Sequence, residues 1–304
     1  MSAVVQKAFP AMGTVHTLTV EGEQALSAAE AIKSQILAMD RNWSVFREDS
    51  EISLLNRGAR IRPDEDTLRI LKESVRLSEE TGGAFDVTAE PLTSLWRQAM
   101  RDERIPDARE IAEALRHTGA RRIRFSGRSV KLGRGQSVDL GGIAKGYALD
   151  RATALLREAG AAHALLNLGG TIGAFGRPVP IGIRNPFDPD GEPIGTLILD
   201  NRCAVTSGSY ERFARIGHQS VHHIIDPRTG YPADSGLVSV TLVGTDATAL
   251  DAFATAAFIL GPFCAMPFLR RHGIDAIFIK SDGKVLKTEG LSDTFRLRAD
   301  AHPA

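Results

Sequence analysis

Cysteine is nearly absent from this chain. Cys203 and Cys264 are the two in 304 residues, and neither lies in a Cys-x-x-Cys pair or a Cys/His cluster. A disulfide framework and a cysteine-based zinc site are not indicated, and both thiols are expected to be buried and inert. Excess charge is absent too: 37 Lys plus Arg against 37 Asp plus Glu leaves a net charge of 0. No overall field then favours nucleic acid or an anionic membrane, so any anion site must be local. The segment Met1-Ser2-Ala3-Val4-Val5-Gln6-Lys7 lacks the charged start and long apolar run of a secretory signal, and no later segment reads as a membrane span. A cytoplasmic location without stable membrane insertion is the expectation. Also missing are Gly-x-x-x-x-Gly-Lys-Ser/Thr and Gly-x-Gly-x-x-Gly, so a nucleotide site would have to be built another way.

What is present is a dense segment, Asp139-Leu140-Gly141-Gly142-Ile143-Ala144-Lys145-Gly146-Tyr147. It combines a carboxylate, bare backbone and an ammonium at what reads as a turn from a strand ending at Ser137-Val138 into an amphipathic helix. Unpaired amide N–H groups at the helix start, its positive dipole end and Lys145 predict a phosphate site. A plain Gly-Gly connection is the alternative.

Helices are predicted from Glu23 to Met39, with Ala25, Ala29, Ile32, Ile36 and Met39 on one side, from about Asp66 to Glu80, and from Pro106 to Leu115. Arg122 to Leu132 reads as a hairpin. Short strands follow at His163–Asn167, Ile181–Arg184, Gly195–Leu199, Ala204–Thr206, His222–Ile225 and Leu237–Val243. A helix from about Ala247 to Leu260, a shorter one from Pro262 to Arg271 and two strands, Ala276–Lys280 and Val285–Thr288, close the chain. Strands in succession without regular helical alternation predict an α+β fold with a mostly antiparallel sheet, and no linker divides the chain, so one domain over 1–304 is expected.

Two places carry chemistry. Asp251 and Thr255 stand four residues apart on one predicted helix, which sends a carboxylate and a hydroxyl from the same face. Hard oxygens of that kind suit Mg²⁺, which takes few protein ligands and completes its shell with water and phosphate; a helix cap with a packed threonine is the competing reading. His223 precedes Ile224-Ile225-Asp226-Pro227-Arg228-Thr229-Gly230, where a proline-fixed turn can hold an imidazole rigidly. A neutral histidine can accept a proton from an attacking hydroxyl. His222, on the opposite face, is the structural candidate, and Asp226 either orients His223 or closes the turn.

Together with Ala11-Met12-Gly13-Thr14, Phe46 to Asn56, Gly83-Ala84-Phe85-Asp86-Val87-Thr88, Pro91-Leu92, Trp96, Asn167-Leu168-Gly169-Gly170, Thr206-Ser207-Gly208, His222 to Gly230 and Asp251 to Thr255, the Asp139 segment resembles the ApbE family, the FAD:protein FMN transferases. The order and spacing of these motifs span most of the chain. The resemblance implies a T-fold-like core and Mg²⁺-dependent transfer of FMN from FAD to a threonine or serine hydroxyl of an acceptor flavoprotein, with release of AMP. It implies His223 as the general base, and Gly142, through its carbonyl, with Asp251 and Thr255 as metal ligands. Met12, Phe46, Ala84, Phe85, Asp86, Asp139, Lys145 and Ile225 match FAD-contacting positions. Phe46 stands where the family commonly has tyrosine, so stacking would survive but the hydroxyl contact would not. FAD hydrolysis to FMN and AMP, and FAD binding without turnover, are the other readings compatible with these residues.

Overall fold

Side chains alternate between core and solvent along β1 (Ala3–Ala11) and β2 (Thr14–Gly22), where His16, Leu18 and Val20 are buried and Val15 and Thr17 are exposed. That is the pattern of an antiparallel pair covered on one face. The computed structural model describes residues 3–188, 190–210, 213–216 and 219–298. By contact the chain divides into two units, one formed by Met1–Leu37, Lys145–Gly208 and Gly236–Ala304, the other by Ala38–Ala144 and Ser209–Ser235.

The first unit carries an eight-stranded antiparallel sheet in the order β1-β2-β5-β6-β9-β12-β13-β14, with β5 (His163–Leu168), β6 (Thr171–Phe175), β9 (Cys203–Gly208), β12 (Leu237–Gly244), β13 (Asp275–Lys280) and β14 (Val285–Lys287). A three-stranded sheet, β15-β8-β7, is made by β7 (Val179–Ile183), β8 (Gly195–Leu199) and β15 (Phe295–Leu297). Ile181, Ile183, Leu197, Leu199 and Phe295 pack there with Val243, Ile277 and Ile279 of the large sheet. Nearly every residue of β12 is buried, on both faces of the strand, because α7 (Ala247–Arg271) packs on β9 and β12 as well. The helix α6 (Ala144–Glu158) also belongs almost wholly to this unit.

By length and composition α7 could cross a membrane, contrary to the expectation that no segment would, yet most of it is buried within the protein. It is also broken: Gly261 has φ 74° and ψ 168°, followed by Pro262. The two helices expected on either side of that break are therefore the two arms of α7. Cys203 is buried and its thiol is pushed up to about 12 by burial, whereas Cys264, expected to be buried, is exposed.

In the second unit, α2 (Glu51–Asn56) is capped by Ser50, and α3 (Glu65–Glu80) by Asp64. The helix α4 (Glu90–Arg101) starts with proline in its first turn, and α5 (Ala108–Arg116) opens on a capping box in which Asp107 and Glu110 satisfy each other's backbone N–H groups. Two small hairpins are β3 (Arg124–Ser126) with β4 (Ser129–Lys131), and β10 (Phe213–Ile216) with β11 (Gln219–His222). Leu92, Trp96, Ile111, Ala114, Ile216, Val221 and Ile225 form the hydrophobic cluster joining α4 and α5 to the β10–β11 ribbon. The helix α1 (Ala25–Trp43) buries Ala25, Ala29, Ile32, Ile36 and Met39, the face expected from the sequence, and extends one turn further to bury Trp43.

Candidate active site

Gly146, the third residue of α6, donates its N–H to Asp251 Oδ2 at 2.9 Å. A Cβ at Gly146 would lie 2.1 Å from the Ala247 carbonyl oxygen and 2.8 Å from Asp251 Cβ, so glycine is what allows α6 and α7 to approach here. Asp251 is 4% exposed. Its other oxygen, Oδ1, accepts no hydrogen bond among the described residues. Thr255 is half-buried one turn along, and its hydroxyl makes no hydrogen bond among the described residues either. A buried carboxylate with one oxygen held and one unspent, beside an unspent hydroxyl on the same helix face, fits a hard cation. No group of three or more His, Cys, Asp or Glu able to hold a metal occurs among the described residues.

The start of α7 is fixed from α6. Asp150 accepts from the N–H groups of Ala247 at 3.0 Å and Thr248 at 2.8 Å and from the Thr248 hydroxyl at 2.5 Å, while Asp246 caps Ala249 N–H at 2.9 Å. Burial raises the Asp150 carboxyl to about 6, against the opposing pull of these Thr248 and Ala247 hydrogen bonds. Nothing in its sequence position marked Asp150, because its partners lie about a hundred residues away.

Two expectations about the glycine segment are corrected. Its amides are not a row of unpaired donors: Gly141 N–H goes to Asp139 Oδ1 at 2.8 Å, Ile143 and Ala144 N–H go to the Leu140 carbonyl at 3.0 and 2.8 Å, and Gly146 goes to Asp251. The turn closes on itself and the Asp251 carboxylate caps the start of the helix. Nor are Ser137 and Val138 in a strand. Val138 is instead gripped by the Asn56 side chain, whose Oδ1 accepts Val138 N–H at 2.7 Å while its Nδ2 donates to the Val138 carbonyl at 2.9 Å. Asp139 N–H then bonds to the Val87 carbonyl at 2.9 Å. Asn56 thus supplies with one side chain what a neighbouring strand would have supplied with its backbone.

In the first unit, Met12 and Gly13 form a two-residue hairpin tip with φ of 49° and 75°, the left-handed pair such turns require and an unusual conformation for methionine. Gly169 and Gly170, with φ of 69° and 87°, form the next tip, and a Cβ on Gly169 would strike Thr14 at 2.4 Å. Thr206 N–H reaches the Gly170 carbonyl at 3.2 Å. The Ala11–Thr14, Asn167–Gly170 and Thr206–Gly208 motifs therefore meet at one end of the sheet.

The second unit gathers the other positions. Phe46 is 81% exposed, and the Arg97 guanidinium lies over its ring, 5.9 Å from the centroid. The same Arg97 stands 3.9 Å from Asp139 Oδ2. Asp86 is committed to structure: it accepts Thr88 N–H at 2.7 Å, the Thr88 hydroxyl at 2.6 Å and Ala120 N–H at 2.9 Å. Ala84, Phe85 and Ile225 are buried, Ile225 within the cluster around Trp96, so none of the three offers a broad side-chain surface to a ligand.

His223 does not lie on a strand, as expected, but on a bend just after β11 ends at His222. The loop is locked around it: Ile225 pairs with Pro232, Asp226 N–H reaches the Tyr231 carbonyl at 2.8 Å, and Ala233 N–H reaches the Ile224 carbonyl at 3.0 Å. His222 accepts Ile224 N–H on Nδ1 at 3.3 Å and donates from Nε2 to the Ala233 carbonyl at 3.0 Å, so both its nitrogens are structural. Burial lowers the His222 pKa. Asp226 closes the turn, accepting Arg228 N–H and Nε–H, each at 2.9 Å, and Arg228 NH2 at 2.8 Å. Trp96 Nε1 donates to the Gly230 carbonyl at 2.8 Å and ties this loop to α4, while a Cβ on Gly83 would sit 3.9 Å from Arg228 Cγ.

Comparison with known proteins identifies the family. Residues 12–278 match the model of the ApbE family. A Klebsiella pneumoniae (strain 342) protein named FAD:protein FMN transferase is 34% identical over 280 residues, covering 88% of this chain and 87% of its own length. A Treponema pallidum (strain Nichols) protein of the same name is 31% identical over 296 residues, covering 89% and 82%. Among solved structures, the ApbE protein of Thermotoga maritima superposes with a TM-score of 0.85 at 30% identity over 95% of this chain and 98% of its own. The apo flavinyl transferase ApbE of Pseudomonas stutzeri gives 0.84 at 25% identity over 96% and 97%. The α+β fold with its mostly antiparallel sheet is that of the ApbE structures. The chain belongs to the ApbE family.

Proposed function

We propose that the protein is a Mg²⁺-dependent FAD:protein FMN transferase that links FMN, through a phosphoester, to a threonine or serine hydroxyl of an acceptor flavoprotein and releases AMP. The transferase names of relatives that match most of the chain support the activity. The observation that carries the metal-dependent form of it is the Asp251 carboxylate, buried, clamped on Gly146 N–H at the start of α6, and followed one turn later by Thr255.

In the reaction the acceptor oxygen bonds to the FMN phosphorus and the anhydride bond to AMP breaks, the bridging oxygen leaving on AMP. Mg²⁺, which the Asp251 carboxylate and Thr255 hydroxyl would hold, would supply charge neutralisation at the diphosphate. Lys145 and the positive end of α6 hold the phosphates, and the Gly146–Asp251 bond keeps the Asp251 carboxylate in one orientation. His223 takes the hydroxyl proton as the oxygen attacks, from a loop made rigid by the Ile225–Pro232 pairing and the Asp226–Arg228 closure. In the second unit the exposed Phe46 ring receives a ring system of FAD, while Ala84, Phe85 and Ile225, being buried, and Asp86, being hydrogen-bonded to Thr88 and Ala120, serve the fold. The chain's contribution is positioning and electrostatics, the usual means of phosphoryl transfer.

The test is incubation with FAD, Mg²⁺ and a flavoprotein domain bearing the acceptor hydroxyl. Flavin fluorescence retained on the denatured acceptor is the expected result. Free FMN and AMP without labelled acceptor would reassign the site to FAD hydrolysis, and intact FAD would remove turnover altogether.

A further inference from the structure

Arg97 was not among the residues singled out by motif. It is two-thirds buried along its side chain, with 32% exposed. Its position is held from below: the adjacent Trp96 is anchored to the Gly230 carbonyl, and Glu90 at the start of α4 accepts a 2.5 Å hydrogen bond from the Ser137 hydroxyl, two residues before Asp139. Yet the guanidinium is held only by an ion pair and a cation–π contact. It stands 3.9 Å from Asp139 Oδ2, beyond hydrogen-bond distance, and at the outer edge of a cation–π contact with Phe46, 5.9 Å from the ring centroid. None of its five N–H donors makes a hydrogen bond among the described residues. A rigidly based arginine with its donors unspent, between an exposed aromatic ring and a carboxylate, is arranged to receive an oxygen acceptor from a ligand. The charge argument runs the same way. Asp139 would repel an anionic dinucleotide, and Arg97 is the cation that offsets it within this unit.

We propose that Arg97 is a substrate-binding residue, its guanidinium donating to an acceptor oxygen of FAD. The inference rests on the FAD-dependent reading above, since Phe46 and Asp139 are the positions that flank it. Two oxygen sources fit the chemistry, the diphosphate and the flavin ring carbonyls.

The experiment measures dissociation constants for FAD, ADP and riboflavin by the wild-type protein, Arg97→Gln and Arg97→Lys, each below its melting temperature. Losing a charge-assisted hydrogen bond should weaken FAD binding by about 10- to 100-fold in Arg97→Gln, with partial recovery in Arg97→Lys. Selective weakening of ADP supports the diphosphate contact, and selective weakening of riboflavin supports the ring contact. Equal weakening of ADP and riboflavin, or unchanged FAD affinity, overturns the inference while leaving the transferase reading intact. Absence of FAD binding by the wild-type protein defeats both.

Discussion

The N–H of Gly146 and the carboxylate of Asp251 are 2.9 Å apart, so the proposed metal ligand also caps the start of α6. One side chain thereby couples the fold to the chemistry, and replacing it in two ways separates the roles. Asp251→Asn retains an oxygen for Gly146 N–H and should stay close to the wild type in stability, but Mg²⁺-dependent turnover should vanish. Calorimetric titration of the FAD-loaded protein with Mg²⁺, alongside turnover, checks this; normal turnover in Asp251→Asn would remove the metal assignment.

Gly146→Ala places a methyl group 2.1 Å from the Ala247 carbonyl oxygen. Backbone cannot yield as a side chain can, so α6 and α7 must separate. A loss of about 1–3 kcal/mol in urea unfolding is expected, together with impaired turnover. A fully stable Gly146→Ala protein would contradict the close approach.

His222 and His223 should behave as opposites. His223→Ala is expected to bind FAD normally and to slow transfer by about 10²- to 10⁴-fold. His222→Ala removes two hydrogen bonds that close the loop, so it should cost about 1–3 kcal/mol of stability with a smaller effect on the chemical step. Single-turnover rates and melting curves of the two variants distinguish them, and identical behaviour would mean that the loop carries no dedicated base.

Asn56→Ala leaves both main-chain groups of Val138 without their partner. The Asp139 segment should then loosen, raising the dissociation constant for FAD more than it lowers the maximal rate. Fluorescence titration with FAD, paired with the saturated rate, reads this. A normal FAD affinity would show that the segment is held by other means.

Asp150 should titrate near 6, well above the ordinary value of about 3.9. Because its folded value is raised, its contribution favours the folded state most below the unfolded value and is lost as pH rises from about 4 to 6, by about 3 kcal/mol in total. Carbon-13 NMR of the Asp150 carboxyl should show a midpoint near pH 6; a midpoint below 4 would mean that its three hydrogen bonds compensate fully for burial.

Much of the fold was legible along the chain. Ala25, Ala29, Ile32, Ile36 and Met39 of α1 recur every three or four residues and all face inward, and Gly261-Pro262 announces the break in α7; α5, expected from Pro106, starts at Ala108 because Asp107 caps it. Less legible are β1, β6, β10, β15, α2 and α4, which the sequence does not mark as elements. The residues of β1 alternate weakly and include Pro10, and the α2 and α4 segments drew notice as motif residues. For the site, Asp251, Thr255 and His223 could be picked out because their residue types suit the chemistry. Asn56, Arg97 and Asp150 could not, since each acts on a partner 42 to 98 positions away.

By itself the sequence determined the class of fold, the family and the residue types available to the reaction, because periodicity, capping and motif order are properties of neighbours in the chain. Tertiary structure decided which groups are spent and which remain available. It assigned Gly146 N–H to Asp251, closed the glycine turn on its own amides, replaced a strand at Val138 with the Asn56 side chain, and moved His223 off the strand. The physical reason is that hydrogen-bond satisfaction depends on distance and direction between groups far apart in sequence, and these are set only when the chain has packed.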